Sequence, residues 1–185
     1  AQIASVRERA REPMAGEVRL QWWRDALAGN AAGGTAGNPV ATAFLETVDR
    51  FHLPRSDFER LLEARSFDLY DDPMPTMAAF EGYLHATTSV WFETVGRMLD
   101  GEESPLGEVA RYAGLAYGLT GLLRTFPLHA SRGQVYIPRD WLERAGARQE
   151  DILAGQTTPA ITQLLTELRA ETRRHWSEAQ KRLTS

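Results

Sequence analysis

Leu106-Gly-Glu-Val-Ala-Arg-Tyr-Ala-Gly-Leu-Ala-Tyr-Gly-Leu-Thr-Gly-Leu-Leu-Arg-Thr-Phe126 is the stretch on which the fold turns. Its apolar residues recur at helical spacing, and Ala113, Gly114, Tyr117, Gly118, Gly121 and Leu122 bring three glycines close to one face. Each interior glycine costs about 1 kcal/mol against alanine, so three together need a reason. Either a neighbouring helix packs very closely there, or a flat, elongated apolar ligand lies in a groove against bare backbone. Pro127 follows. It has no N–H and crowds the preceding turn, so the helix is predicted to stop at Phe126.

Working outward, the rest of the chain also reads as helices. The segment Glu17 to Ala28 is apolar on two faces, with Trp22 and Trp23 expected in the core. Residues 29–38 form a flexible Gly/Ala/Asn loop without the Gly-Lys-Ser signature of a phosphate loop. Asn38-Pro39 opens a helix to Phe51, and Pro54 opens another to Leu69. Thr76 caps a long helix with Phe80, Leu84, Thr87, Trp91, Val95 and Met98 as its stripe, ended by Gly101. Gln134 to Pro138 is a short extended stretch before a small helix, Arg139 to Ala145. Thr158-Pro159 opens a last helix with Ile161, Leu165, Leu168, Thr172, Trp176, Ala179 and Leu183 as its stripe. No segment alternates convincingly, so the class is all-α. The expected organisation is one domain over residues 1–185, cut from a longer protein at both ends, with Ala1 already inside a helix.

Composition narrows the function. Apolar residues make up 43% of the 185 and charged residues 25%, values usual for a globular chain. With no cysteine there is no thiolate chemistry and no zinc–thiolate site. The net charge of −4 and the lack of a basic, aromatic-studded stripe argue against nucleic acid. The basic residues Arg169, Arg173, Arg174, Lys181 and Arg182 are interleaved with Glu167, Glu171 and Glu178, as on a solvated helix face. No stretch has the length and apolarity of a membrane span, and no signal peptide is visible. His52, His85, His129 and His175 show no His-x-x-x-His spacing, which assigns them structural or surface roles. Asp68, Asp71 and Asp72 are interrupted by Pro73 and read as a solvated loop.

The order of motifs resembles the squalene/phytoene synthase family over essentially the whole chain. The resemblance rests on Gly118-Leu-Thr-Gly-Leu-Leu-Arg124 and Ser131-Arg-Gly-Gln-Val-Tyr-Ile-Pro138. It rests also on Glu12-Pro-Met-Ala-Gly-Glu-Val-Arg-Leu-Gln-Trp-Trp-Arg-Asp-Ala-Leu27, Asp68-Leu69 and Tyr83-Leu84. It implies an isoprenoid synthase fold, helices around a central cavity, in which active members join two prenyl diphosphates head to head. Two aspartate-rich motifs then hold Mg²⁺ against the diphosphate. In the active pattern the arginine is followed by Asp-x-x-Glu-Asp, whereas Thr125, Leu128 and His129 stand here. The residues Gln2-Ile-Ala-Ser5 supply no carboxylate for the first motif.

The resemblance is therefore to the family's non-catalytic branch, which includes a mitochondrial complex I assembly factor. It implies a catalytically degenerate protein that binds an isoprenoid, a prenyl diphosphate or another lipid, or that assists assembly of a protein partner. The alternative is an active Mg²⁺-dependent prenyltransferase, and no metal or cofactor is expected otherwise. The expected ligand-binding residues are Arg124, Arg132, Tyr136, Gly114, Tyr117, Gly118 and Gly121. Arg124 has a second reading, as the partner of Glu17 or Asp25. The expected location is cytoplasmic, or the mitochondrial matrix in a eukaryote, with peripheral membrane contact.

Overall fold

A computed structural model describes residues 2–10, 12–101 and 106–184 of the chain; Ala1, expected within a helix, lies outside them. Among the described residues there is no strand, in line with the periodicity. The chain folds as two units, Ala1–Tyr70 with Arg97–Glu102, and Asp71–Gly96 with Glu103–Ser185.

The first unit holds α1 (Val6–Arg9), α2 (Pro13–Leu27), α3 (Pro39–Arg50) and α4 (Arg55–Ser66), the last continued by a 3₁₀ turn at Phe67–Leu69. Asn38 caps α3 as its sequence suggests, its side chain accepting from the Ala41 N–H. A chain of edge-on rings, Trp22–Trp23, Trp23–Phe44 and Phe44–Phe58, runs into the core. α2 meets the 3₁₀ turn at Gly16, where a Cβ would stand 2.3 Å from Leu69 Cδ2. Asp68 is not on a solvated loop. It is 4% exposed and pairs with Arg65 at 2.8 Å, while Asp71 and Asp72 are exposed.

The second unit holds α5 (Met77–Leu84), a π-turn at His85–Ser89, the start of α6 (Val90–Asp100), α7 (Gly107–Ser131), α8 (Arg139–Ala145), α9 (Gln149–Leu153) and α10 (Pro159–Leu183). Thr76 and Thr158 cap α5 and α10 through their hydroxyls. The segment from Gln134 to Pro138 is pinned to the entry of α5. The Arg139 N–H donates to Met74 O at 2.8 Å, and the Met77 N–H donates to Asp140 Oδ2 at 3.2 Å. The core of this unit gathers Ala130, Val135, Ile137, Leu142, Ile152, Ile161, Leu164 and Leu168.

Three expectations are corrected here. α7 does not stop at Pro127 but runs through it to Ser131. The missing N–H leaves the Leu123 carbonyl without its helical donor. Leu123 and Phe126 before the proline, and Ala130 after it, all pack on the same core, which carries the helix across. The stripe from Thr76 holds at Phe80, Leu84 and Thr87 but then slips by one residue. Trp91 and Val95 are 42% and 53% exposed, while Val90 and Thr94 are buried. The wider π-turn inserts the extra residue that rotates the face. In α10 the buried side chains are Ile161, Leu164, Leu168, His175 and Ala179, while Trp176 and Leu183 face solvent. Among the described residues no helix is long and apolar enough to cross a membrane.

Candidate functional site

The glycine face of α7 is divided. A Cβ on Gly114 would lie 2.3 Å from Ser89 Cα, and one on Gly118 would meet Thr88 Oγ1 at 2.8 Å and Leu84 Cδ2 at 2.9 Å. Ser89 Oγ also donates to Arg111 O at 2.8 Å, tying the π-turn onto α7. At Gly114 and Gly118 the bare backbone is thus covered by packed helix. Gly121 faces open space, and Tyr117 is 68% exposed with its ring 5.7 Å from Phe92. Gly114, Tyr117, Gly118 and Gly121, expected around one ligand, do not share one environment.

A small apolar hollow lies instead along the Leu119, Leu122, Leu123 and Phe126 side of α7, closed by Phe80, Ile137 and Leu168. Its polar edge is His129, Gln134 and Tyr136. The His129 ring stands edge-on to Tyr136 at 4.9 Å, and Gln134 Nε2 donates to Tyr136 Oη at 3.2 Å. Tyr136 is therefore the predicted site residue that the structure seats in a pocket. Arg124 and Arg132 are both exposed near this end of α7. The Arg124 guanidinium has no hydrogen bond or ion pair among the described residues. Within the first unit, Glu17 accepts from Ser66 Oγ and Tyr70 Oη at 3.3 Å each, and Asp25 from Gln21 at 2.8 Å.

One cluster was not anticipated from the sequence. Glu81 of α5 and Glu171 and His175 of α10 bring three potential ligand atoms within 4.8 Å of one another. His175 Nε2 is 3.1 Å from Glu81 Oε1 and 3.4 Å from Glu171 Oε1. Arg174 Nη2 reaches the same two oxygens, bonding Glu171 tightly and approaching Glu81 at 3.4 Å. Burial holds the His175 imidazole below its ordinary pKa, helped by Arg174 and opposed by Glu81 and Glu171. The Glu171 hydrogen bond raises that of Arg174. The signal in the sequence was Glu171-x-x-x-His175, a carboxylate and an imidazole one helical turn apart, which a search for paired histidines passes over.

The squalene/phytoene synthase sequence profile matches residues 1–185. The chain belongs to the squalene/phytoene synthase family. It is 25% identical over 178 residues to rat NADH dehydrogenase (ubiquinone) complex I, assembly factor 6, covering 96% of this chain and 54% of that protein. It is 30% identical over 164 residues to presqualene diphosphate synthase of Zymomonas mobilis, covering 85% and 54%. The crystal structure of squalene synthase HpnC from Alicyclobacillus acidocaldarius superposes with a TM-score of 0.75 at 21% identity, over 94% of this chain and 64% of that one. The fold is that of the isoprenoid synthases. The chain spans about half the length of the curated relatives it matches.

For a squalene/phytoene synthase the end of α7 should hold Mg²⁺, and the residues there do not fit that ion. Thr125 Oγ1 is turned back onto Gly121 O at 2.8 Å, Leu128 is 46% exposed, and His129 is engaged with Tyr136. The one acidic side chain on α7 is Glu108, about 25 Å along the axis from Thr125 at 1.5 Å per residue. Mg²⁺ needs hard oxygen ligands and takes one or two carboxylates as its protein anchors. This helix end provides none.

Proposed function

We propose that this chain is a catalytically degenerate squalene/phytoene synthase-family protein, using the scaffold to bind an isoprenoid or similar lipid in support of assembling a partner, not to condense substrates. The observation that carries this reading is Arg124-Thr-Phe-Pro-Leu-His129, where no carboxylate is available to bridge Mg²⁺ to a diphosphate. The hollow beside Leu123 and Phe126 has an apolar lining that matches a prenyl chain in chemistry, and with room for about one water molecule it must widen to admit one. Arg124 and Arg132 suit an anionic head group, since guanidinium forks pair well with phosphate oxygens. Similarity to a complex I assembly factor supports a protein partner, and in a eukaryote a mitochondrial setting. Incubating the full-length protein with farnesyl or geranylgeranyl diphosphate and Mg²⁺ tests the reading. Saturable binding without pyrophosphate release is expected, and release with a condensed product overturns it.

The second reading, an active head-to-head prenyltransferase, is favoured by the likeness to presqualene diphosphate synthases. It requires carboxylates from elsewhere in the full-length protein, and the same assay decides it.

A further inference from the structure

We propose that Glu81, Glu171 and His175 form a binding site for one divalent transition-metal ion of the zinc type, with Arg174 as the competing cation.

The donor set is the first ground. Two hard carboxylates and one borderline imidazole make a mixed oxygen–nitrogen set that Zn²⁺ and its neighbours accept, the imidazole favouring them over Mg²⁺, with a fourth position left for water. Geometry is the second. Zinc bonds of about 2.0–2.2 Å in a tetrahedron place ligand atoms roughly 3.3–3.6 Å apart. The His175 Nε2 separations from Glu81 Oε1 and Glu171 Oε1 are 3.1 and 3.4 Å. Small side-chain movements reach those edges.

The third ground is the imidazole itself. His175 is 1% exposed; its Nδ1 has no hydrogen-bonding partner, and its Nε2 has only poorly angled approaches to Glu81 and Glu171. Nε2 comes within ion-pair distance of two oxygens, yet neither approach has hydrogen-bond geometry. Buried polar atoms in native proteins are nearly always satisfied, so an orphaned imidazole facing two carboxylates calls for a ligand.

The site is also held in place. Glu171 and His175 are one turn apart on α10, and Glu81 sits in α5, whose first turn is capped by Thr76 and Asp140. Arg174 now neutralises the carboxylates from outside, its side chain 52% exposed. An exposed stem lets that guanidinium swing into solvent when a divalent ion arrives. Tyr112, whose ring is 6.0 Å from that of His175, and Arg182 stacked on Tyr112 complete the surroundings.

The test titrates the full chain, first stripped with a chelator, with Co²⁺ read by visible absorption and with Zn²⁺ by competition. One equivalent should bind, Mg²⁺ should not displace it, and Glu81→Gln and Glu171→Gln should each weaken it at least about tenfold. His175→Ala should do the same. If that variant does not fold, the two glutamine variants, checked by circular dichroism, decide. Arg174→Ala should tighten binding, which a merely structural salt-bridge knot would not do. Absence of saturable binding, or binding unchanged in both glutamine variants, overturns the site. The result does not depend on prenyl diphosphate binding, so either conclusion can fail alone.

Discussion

Substituting alanine in turn at Gly114, Gly118 and Gly121 separates packing from ligand groove along a single helix. Each change should recover about 1 kcal/mol of helix propensity. Against that stands whatever the new methyl group meets. At Gly121 it meets nothing within 4 Å, so Gly121→Ala should stabilise the protein by about 1 kcal/mol. At Gly118 it meets the ends of Thr88 and Leu84 at 2.8–2.9 Å. These can rotate away for about 1 kcal/mol, leaving little net change. At Gly114 it falls 2.3 Å from the Ser89 Cα, and backbone within a packed turn cannot rotate aside. Overpacking there should cost about 3 kcal/mol or more, a net loss of about 2. The two extremes should differ by about 3 kcal/mol, or roughly 6–12 °C in Tm for a chain of this size. Urea unfolding followed by circular dichroism, with m unchanged, measures the series. If Gly114→Ala proves as stable as Gly121→Ala, the π-turn does not pack on α7 as described. If all three variants are stabilised and lipid binding is lost, the face is a ligand groove.

Three further outcomes are expected. Pro127→Ala should restore a donor to the Leu123 carbonyl and stabilise α7 by up to about 3 kcal/mol, seen as a rise in Tm; no rise would mean the helix is already broken there. Asp57 is 5% exposed and joins Arg60 at 2.6 Å to Arg97. Asp57→Asn should therefore cost about 2–3 kcal/mol, below the fully buried range because Arg97 keeps some solvent. A loss under about 0.5 kcal/mol in urea unfolding would contradict that pairing. Hydrogen bonds from Lys181 and Arg182 hold the Glu178 carboxyl down to about 2 from an ordinary 4.5. Its contribution is full above about pH 4.5 and is lost as pH falls through about 2, so the end of α10 should fray across that window. Glu178→Gln should remove this acid dependence, and an unchanged acid profile in amide exchange would refute the assignment.

How much of this was readable beforehand differs from element to element. The caps at Asn38, Thr76 and Thr158 and the all-α class depend on neighbours in sequence, and they were legible. The family was legible too, because its motifs keep their order and spacing, as was the lack of carboxylates after Arg124. The fate of Pro127 was not, since local sterics argue for a stop. Packing of Leu123, Phe126 and Ala130 on one core overrides that cost. Nor was the burial of Val90 in place of Trp91, because a π-turn leaves no periodic trace and shifts every later residue on its helix.

The site divides along the same line. Sequence alone determined what the end of α7 lacks, since chemistry missing from a side chain cannot be restored by folding. Only the tertiary structure decided which glycines are covered, and that Glu81, far before Glu171 in the chain, meets His175. Those contacts come from helices brought together by burial of their apolar faces, a long-range effect that no local pattern records.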